Sequence, residues 1–357
     1  MWVEHLEVSD LRNIESAELT LGSGLNVLVG RNAQGKTSLL EAVGLLARGR
    51  SFRTEQAATA IRKGAAALEA RGSALSGGRN TRLEVEVRGG SRRFRVDGHD
   101  VAPRDYHGRL EVAVYTTDRL RVIRGPMRER RAMLDRGAAV LWPAYRQAAR
   151  DYERVLAQRN AALETGRDDV GAWNERFVEL GARLRYRRGV YAQRLRAALR
   201  NGGGFPVAGE SYDVTTGPEP SGDEEAQREV LRREVREARA DEVRARRSLV
   251  GPHRDAVALH VDGEEAGLAA SSGQARSLLL ALTLASIEVY RRERADTPVA
   301  LLDDLDSELD EDRVLALCRA VAERGQALVT TAHQDWVARL SGLGRVFHVQ
   351  GGQVRAA

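Results

Sequence analysis

Residues Gly30 to Thr37 read Gly-Arg-Asn-Ala-Gln-Gly-Lys-Thr, a spacing that suits a backbone cradle for phosphate. Gly30 and Gly35 let the loop curl so that successive N–H groups and the dipole of the next helix face phosphate oxygens. Arg31, Asn32, Ala33 and Gln34 supply the amides between them. Lys36 then reaches the β- and γ-phosphates, and Thr37 offers its hydroxyl to Mg²⁺. Of the 56 basic residues only Lys36 and Lys63 are lysines. Arginine serves nearly everywhere else, so position 36 calls for a compact ammonium that a planar guanidinium cannot replace.

Two further groups carry chemistry. The apolar run Pro298-Val299-Ala300-Leu301-Leu302 fits a fully buried parallel strand and ends in Asp303 and Asp304. Asp303 is placed to hold Mg²⁺, directly or through water, and Asp304 to sit beside the γ-phosphate and orient the attacking water. Ser271-Ser272-Gly273-Gln274 opens a long helix rich in Leu and Ala, a second anion-binding helix end far along the chain. One phosphate needs only one such end. The surplus predicts two nucleotides sandwiched between two subunits, each met by the loop of one and by Ser272, Gly273 and Gln274 of the other.

The elements that must position these residues follow from patterning. Leu25 to Val29 reads as a buried strand before the loop, and Ser38 to Val43 as the helix after it. The alternation from Trp2 to Val8 predicts a half-buried strand. Arg82 to Val87, Arg92 to Val96 and Glu111 to Tyr115, with Gly-rich turns between, predict a small antiparallel sheet.

From about Arg121 the chain turns to long helices. Tyr145, Ala149, Tyr152, Leu156 and Leu163 form an apolar row interrupted by Arg159, and Trp173, Phe177, Leu180, Leu184 and Tyr191 form one interrupted by Arg187. Two such seams predict a packed pair, with a charged third leg from about Asp223 to Arg247. Asn201 to Gly222, rich in Gly and Pro, reads as a loop. Strand and turn chemistry resumes near Ser248, and Ala327 to Thr331 is a strand leading to His333. The expected fold is α/β: one sheet assembled from both ends of the chain around an inserted helical arm, divided into residues 1–120, 121–247 and 248–357.

Composition narrows the class. The chain has 357 residues, 30% of them charged, with a net charge of +5 and a pI of about 9.6. That basicity permits a nucleic acid or another anionic surface as partner. The run Arg119, Arg121, Arg124, Arg128, Arg130 and Arg131 offers either contacts to DNA phosphates or a solvated face. A lone Cys318 excludes an intrachain disulfide, and no cysteine pair suits a structural zinc. With no signal peptide and no apolar stretch of bilayer length, a cytoplasmic protein without membrane partners is expected.

The order of these parts (phosphate loop, helical insertion, Ser-Gly-Gln turn, acid-tipped strand, Ser307 to Asp310, then His333) resembles an ABC-type ATPase head. Within that class the chain is similar to the RecF family of bacterial recombination mediators. The similarity rests on Leu11-Arg12-Asn13-Ile14, Gly30 to Leu46 followed by Gly49-Arg50-Ser51-Phe52-Arg53, Arg130-Arg131 with Leu134-Asp135, and above all Gly251-Pro252-His253-Arg254-Asp255. The resemblance implies ATP and Mg²⁺ as cofactors, with Lys36, Asp303, Asp304 and His333 as catalytic residues, His333 as the switch histidine and Ser307 to Asp310 as the D-loop. It further implies an ATP-dependent homodimer on duplex or gapped DNA or at single-strand/double-strand junctions, weak DNA-stimulated ATP hydrolysis that releases it, and action with RecR and RecO in loading RecA. Arg12 and Arg62-Lys63-Gly64 approach the nucleotide in related heads.

Three departures are visible. Asp304 stands where most such heads carry Glu, Thr117-Asp118 where a glutamine is usual, and Ser271-Ser272 where Leu-Ser is commoner. The alternative, a soluble nucleotide-binding subunit of a membrane transporter, ordinarily lacks both a long charged arm and the Gly-Pro-His-Arg-Asp element.

Overall fold

The computed structural model describes residues 1–166, 170–201, 210–219, 222–305, 311–333, 335–340 and 342–357. From the amino end come strands β1 (Trp2–Leu11), β2 (Ile14–Thr20) and β3 (Leu25–Val29), then helix α1 (Lys36–Arg48). They are followed by β4 (Ala67–Ser76), β5 (Arg79–Arg88), β6 (Ser91–Val96), β7 (His99–Asp100), the short α2 (Pro103–Tyr106) and β8 (Val112–Tyr115). The middle of the chain is α3 (Arg121–Arg124), α4 (Met127–Leu141), α5 (Pro143–Thr165), α6 (Val170–Arg200), β9 (Tyr212–Thr216), α7 (Glu224–Glu237) and α8 (Arg239–Ala245). Then follow β10 (Val257–Val261), β11 (Glu264–Glu265), α9 (Ala266–Ala269), α10 (Ser272–Arg294) and β12 (Val299–Leu302). The chain closes with α11 (Glu311–Ala322), β13 (Ala327–Thr331), α12 (Asp335–Leu340), β14 (Gly344–Gln350) and β15 (Gln353–Ala356).

These elements fall into two compact units, one of residues 1–120 and 276–357, the other of 121–201 and 210–275. The first unit holds two sheets. One has the order β15-β14-β3-β13-β12-β8, in which β14, β3, β13, β12 and β8 are parallel. Every residue of β3, β12 and β13 is buried, as expected for strands covered on both faces. The other sheet, β2-β1-β4-β5-β6-β7, is antiparallel. Helix α1 packs between them: Leu39, Leu40, Val43, Leu45 and Leu46 are fully buried, in one core with Leu6, Leu68, Val85, Leu301 and Leu328. At about 1.5–3 kcal/mol per buried aliphatic side chain, this helix is fixed by packing on all sides.

Two sequence expectations need correction here. Val112 to Tyr115 does not join the antiparallel sheet; β8 pairs in parallel with β12, Val112 opposite Val299 and Tyr115 opposite Leu302. All four residues of β8 are buried, a continuous apolar strand suited to a parallel sheet and not to a solvated hairpin. The stretch from Asn201 to Gly222 contains β9, which pairs antiparallel with β10, Val214 opposite Leu259. Its Tyr212 and Val214 alternate inward, a short pattern lost among the surrounding Gly and Pro.

In the second unit α6 packs on α4, α5, α7 and β9. Helices α5 and α6 pack together, but the buried row of α5 runs through Ala148 and Val155 in place of Ala149 and Leu156, that of α6 starts at Phe177 and not at Trp173, and Arg159 is no interruption. It is 2% exposed and donates to Glu242 Oε2 at 2.6 Å, Ser248 Oγ at 2.6 Å and Asn174 Oδ1 at 2.9 Å, its guanidinium lying 4.7 Å over the Phe177 ring. Arg185 forks onto Asp255 at 2.7 and 3.0 Å, and Arg188 onto Asp135 at 2.7 and 3.0 Å. The Gly251-Pro252-His253-Arg254-Asp255 turn is built into this network: Arg188 donates to Pro252 O, and Tyr152 Oη bonds His253 Nδ1 at 2.7 Å. Gly251 has φ +120°, and a Cβ there would stand 2.7 Å from Tyr152 Oη, so the turn excludes any larger residue. No helix among the described residues is long and apolar enough to cross a membrane.

Candidate phosphate-binding site

Strand β3 delivers Gly30 to the end of the parallel sheet, where a Cβ would lie 2.2 Å from Val349 O. Only glycine fits that approach. Ala33 at φ 65° and Gly35 at φ 114° turn the loop through the left-handed region, the conformation that gathers N–H groups into an anion-binding nest. The loop is held from outside. Gly352 N donates to Gln34 O at 2.9 Å and Gly351 N to Gln34 Oε1 at 2.7 Å, so the β14–β15 turn fastens Gln34. Ser38 Oγ donates to Asn13 Oδ1 at 3.3 Å, which ties the β1–β2 turn to the first turn of α1. Arg31, Asn32 and Ala33 are exposed.

Lys36 is 8% exposed, and its Nζ donates to Gly30 O at 2.6 Å and Arg31 O at 3.1 Å. Thr37 Oγ1 donates to Asp303 Oδ1 at 3.0 Å. The same oxygen accepts from Thr330 Oγ1 at 2.7 Å, and Thr330 Oγ1 in turn accepts from Asp304 N at 2.9 Å. Thr330 on β13 therefore positions both acids. Nothing in a strand-ending threonine marks it as such in the sequence. Asp304 has φ 57°, an uncommon conformation for a non-glycine residue that costs on the order of 1–3 kcal/mol and tends to persist at working sites.

Electrostatics fit a cation site. Burial pushes the Asp303 carboxyl above the ordinary carboxylate range, opposed by the Thr330 and Thr37 hydroxyls and by the Arg53 and Lys36 charges. A divalent ion would relieve that burial penalty. No cluster of three or more His, Cys, Asp or Glu side chains able to hold a metal occurs among the described residues, which leaves one carboxylate and one hydroxyl. Mg²⁺ is commonly held by such a sparse oxygen set completed by water and substrate phosphates.

Behind the loop, Glu41 of α1 is fully buried. Arg12 forks onto it at 2.9 and 3.0 Å, and Arg53 reaches it at 3.5 Å. Arg12, expected near the nucleotide, is engaged with the helix that follows the loop. Arg53 faces both Glu41 and Asp303, a position that the sequence pattern did not single out. Arg62 pairs with Asp10 at 2.7 Å.

His333 is exposed, its backbone N donating to Thr331 Oγ1 at 3.0 Å and its ring stacked 5.7 Å from Trp336. Ser307 to Asp310 lies outside the described residues. Ser272 opens α10, with Ser272 and Gly273 exposed and Gln274 half-buried. Ser271 Oγ accepts from Gln274 N at 3.1 Å, and Ser271 N donates to Gln274 Oε1 at 3.0 Å, a reciprocal capping box. Arg124 Nη2 stands 3.3 Å from both Ser272 Oγ and Ala270 O.

The basic run is not one surface. Arg130 is buried against Glu265, Ile123 O and Val257 O, and Arg131 donates to Asp255 O. Arg121, Arg124 and Arg128 are exposed.

A phosphate loop on the central strand of a parallel sheet, with an acid-tipped strand two places away, defines an ABC-type ATPase head. Comparison with known proteins agrees. The family model described as the RecF/RecN/SMC N terminal domain matches residues 2–355. The DNA replication and repair protein RecF of Symbiobacterium thermophilum is 36% identical, over 99% of this chain and 98% of its own. That of Frankia alni is 36% identical over 96% of each. The chain belongs to the RecF/RecN/SMC family and, within it, to the RecF family. A solved structure of the recombination mediator protein RecF with ATP, from the RecFOR pathway, superposes with a TM-score of 0.89 at 25% identity, covering 100% of this chain and 97% of that one. The Smc head domain of Pyrococcus furiosus shares the fold, with a TM-score of 0.60 at 14% identity over 100% and 96% of the chains.

Proposed function

We propose that this chain is an ATP-dependent DNA-binding protein of recombinational repair. The observation that carries the reading is the meeting of Thr37 and Asp303 at 3.0 Å beside Lys36. These side chains come from opposite ends of the sequence and together suit the triphosphate and Mg²⁺. Lys36 and the amides from Gly30 to Thr37 bind the β- and γ-phosphates. Thr37 and Asp303 hold the cation, which supplies charge neutralisation at the phosphates. Asp304 orients the attacking water, and its side chain, shorter than the usual glutamate, makes turnover slow. His333 senses the γ-phosphate.

Ser272, Gly273 and Gln274 meet the nucleotide held by a second copy, so that ATP drives a homodimer that closes on duplex or gapped DNA and hydrolysis reopens it. The names of the relatives support a role in DNA replication and repair, and the RecFOR pathway named for a structural neighbour supports RecR and RecO as partners in loading RecA. A cytoplasmic location fits this role. The transporter reading is not favoured, because the relatives named above are DNA replication and repair proteins.

Molecular mass in solution, measured with and without ATP-Mg²⁺ and duplex DNA, tests the proposal. Wild type is expected to double its mass with ATP and to bind DNA with a steeper salt dependence, each added phosphate contact contributing roughly 0.9 to the slope of log affinity against log salt. Ser272→Arg should still bind ATP as a monomer but fail to dimerise. An ATP-independent mass and salt slope shared by both proteins would overturn the dimer.

A further inference from the structure

Strand β8 ends at Tyr115, and the next residue, Thr116, is 2% exposed with a hydroxyl that meets no hydrogen-bond partner among the described residues. Folded proteins rarely leave a buried hydroxyl so, because it has lost water and gained nothing in return. Its place in the sheet shows what it is near. β8 and β12 run parallel and in register, Val112 opposite Val299 and Val114 opposite Leu301. Partners in such a pair leave the sheet on the same face, and all four of these side chains enter the core around α1.

The pairing continues past the strand ends, since Asp303 N donates to Tyr115 O at 3.0 Å. The next inward positions are therefore Thr116 on one strand and Asp303 on the other. Asp303 does turn to the α1 side, where it accepts from Thr37. Thr116 thus stands about one strand spacing, ~4.8 Å, from Asp303 on the same face. It lies at the end of the parallel sheet from which the phosphate loop emerges.

Building on the phosphate-site reading above, we propose that Thr116 is a positioning residue of that site: its hydroxyl holds a water in the hydration shell of the divalent cation carried by Thr37 and Asp303. Mg²⁺ gives up its waters reluctantly and is often bound through several of them. A hydroxyl one strand away suits the outer side of that shell better than direct coordination. The same water gives the buried hydroxyl the partner it lacks among the described residues.

The test uses the full chain, Mn²⁺ as the cation and a non-hydrolysable ATP analogue, with bound Mn²⁺ measured by electron paramagnetic resonance. Thr116→Val, which exchanges the hydroxyl for a methyl of the same shape, is expected to weaken Mn²⁺ binding roughly fivefold, the equivalent of one hydrogen bond. Affinity for the analogue in EDTA and the melting temperature without nucleotide should stay at wild-type values. Thr116→Ala should show the same loss, and Thr116→Ser should bind Mn²⁺ as wild type does. Wild-type Mn²⁺ affinity in both hydroxyl-free variants, or an equal loss in Thr116→Ser, overturns the proposal. So does a lowered melting temperature in Thr116→Val, which would mark the hydroxyl as structural. Asp303→Asn separates the two levels. If it weakens Mn²⁺ binding while Thr116→Val does not, only the role of Thr116 fails; if neither does, the phosphate-site reading itself fails.

Discussion

Arg159 in the second unit and Lys36 in the first are both buried cations, 2% and 8% exposed, but their surroundings differ in kind. Arg159 lies in a closed set of protein partners, Glu242, Ser248, Asn174 and the face of Phe177. Arg185 and Arg188 are closed in the same way by Asp255 and Asp135. Lys36 leans on the carbonyls of its own loop. Asp303, the acid beside it, accepts hydroxyls where the second unit would place a guanidinium fork. A buried guanidinium enclosed by protein carboxylates serves architecture; a buried carboxylate set against hydroxyls, as Asp303 is, suits a bound cation.

The comparison breaks most severely if Arg159 can be removed at no cost. Arg159→Met should strand Glu242, which is 1% exposed, as an unpaired buried carboxylate and destabilise the protein by about 3–5 kcal/mol, read from urea denaturation. The next effect comes from acid. Burial lowers the His253 imidazole to about 4 from an ordinary 6.5, so the folded protein keeps it neutral where the unfolded chain takes up a proton. Its contribution is complete above pH 6.5 and is lost as pH falls towards 4, at most about 3 kcal/mol across that window. His253→Gln should flatten that part of the stability curve, measured by denaturation at a series of pH values.

The first unit should respond more gently and with a different readout. Lys36→Met is expected to act on the ligand, weakening triphosphate binding roughly 10- to 100-fold, a charged hydrogen bond being worth ~1.5–3 kcal/mol; titration calorimetry with ATP measures it. The smallest effect has the opposite sign. Because burial raises the Asp303 carboxyl, the free protein is most stable while that group is protonated and loses stability as pH rises through its raised value. Asp303→Asn should therefore raise the melting temperature of the nucleotide-free protein at neutral pH, while impairing Mg²⁺-dependent hydrolysis. A lower melting temperature for that variant would remove the contrast between the two units.

The sequence showed the parts whose signals are local. Gly30 to Thr37 carries its chemistry within eight residues, and Val299 to Asp304 announces both its burial and its acids. Parts that depend on distant partners stayed hidden. Arg159 looks like a flaw in an apolar row until Glu242 and Ser248, on other segments, are seen to enclose it. Thr330 reads as an ordinary strand former until Asp303 and Asp304 fall on either side of its hydroxyl. Four residues cannot declare which sheet they enter, and only the pairing of β8 with β12 shows that it is the parallel one. β9 needed its partner β10 before its pattern meant anything.

One feature of the parallel sheet bears on how the protein is made. β3, which presents the phosphate loop, is flanked by β13 on one side and β14 on the other, and both follow it only after the whole second unit. At ~5–20 residues per second, a ribosome that has completed Val29 needs about 15–60 s more to reach Ala327. Throughout that interval the nascent β3 has neither neighbour, and both of its backbone edges can pair with another chain. The second unit is translated in full during the wait. Synthesis rate and chaperone access should accordingly limit the yield of this protein through β3, whose two neighbours are made only after the second unit.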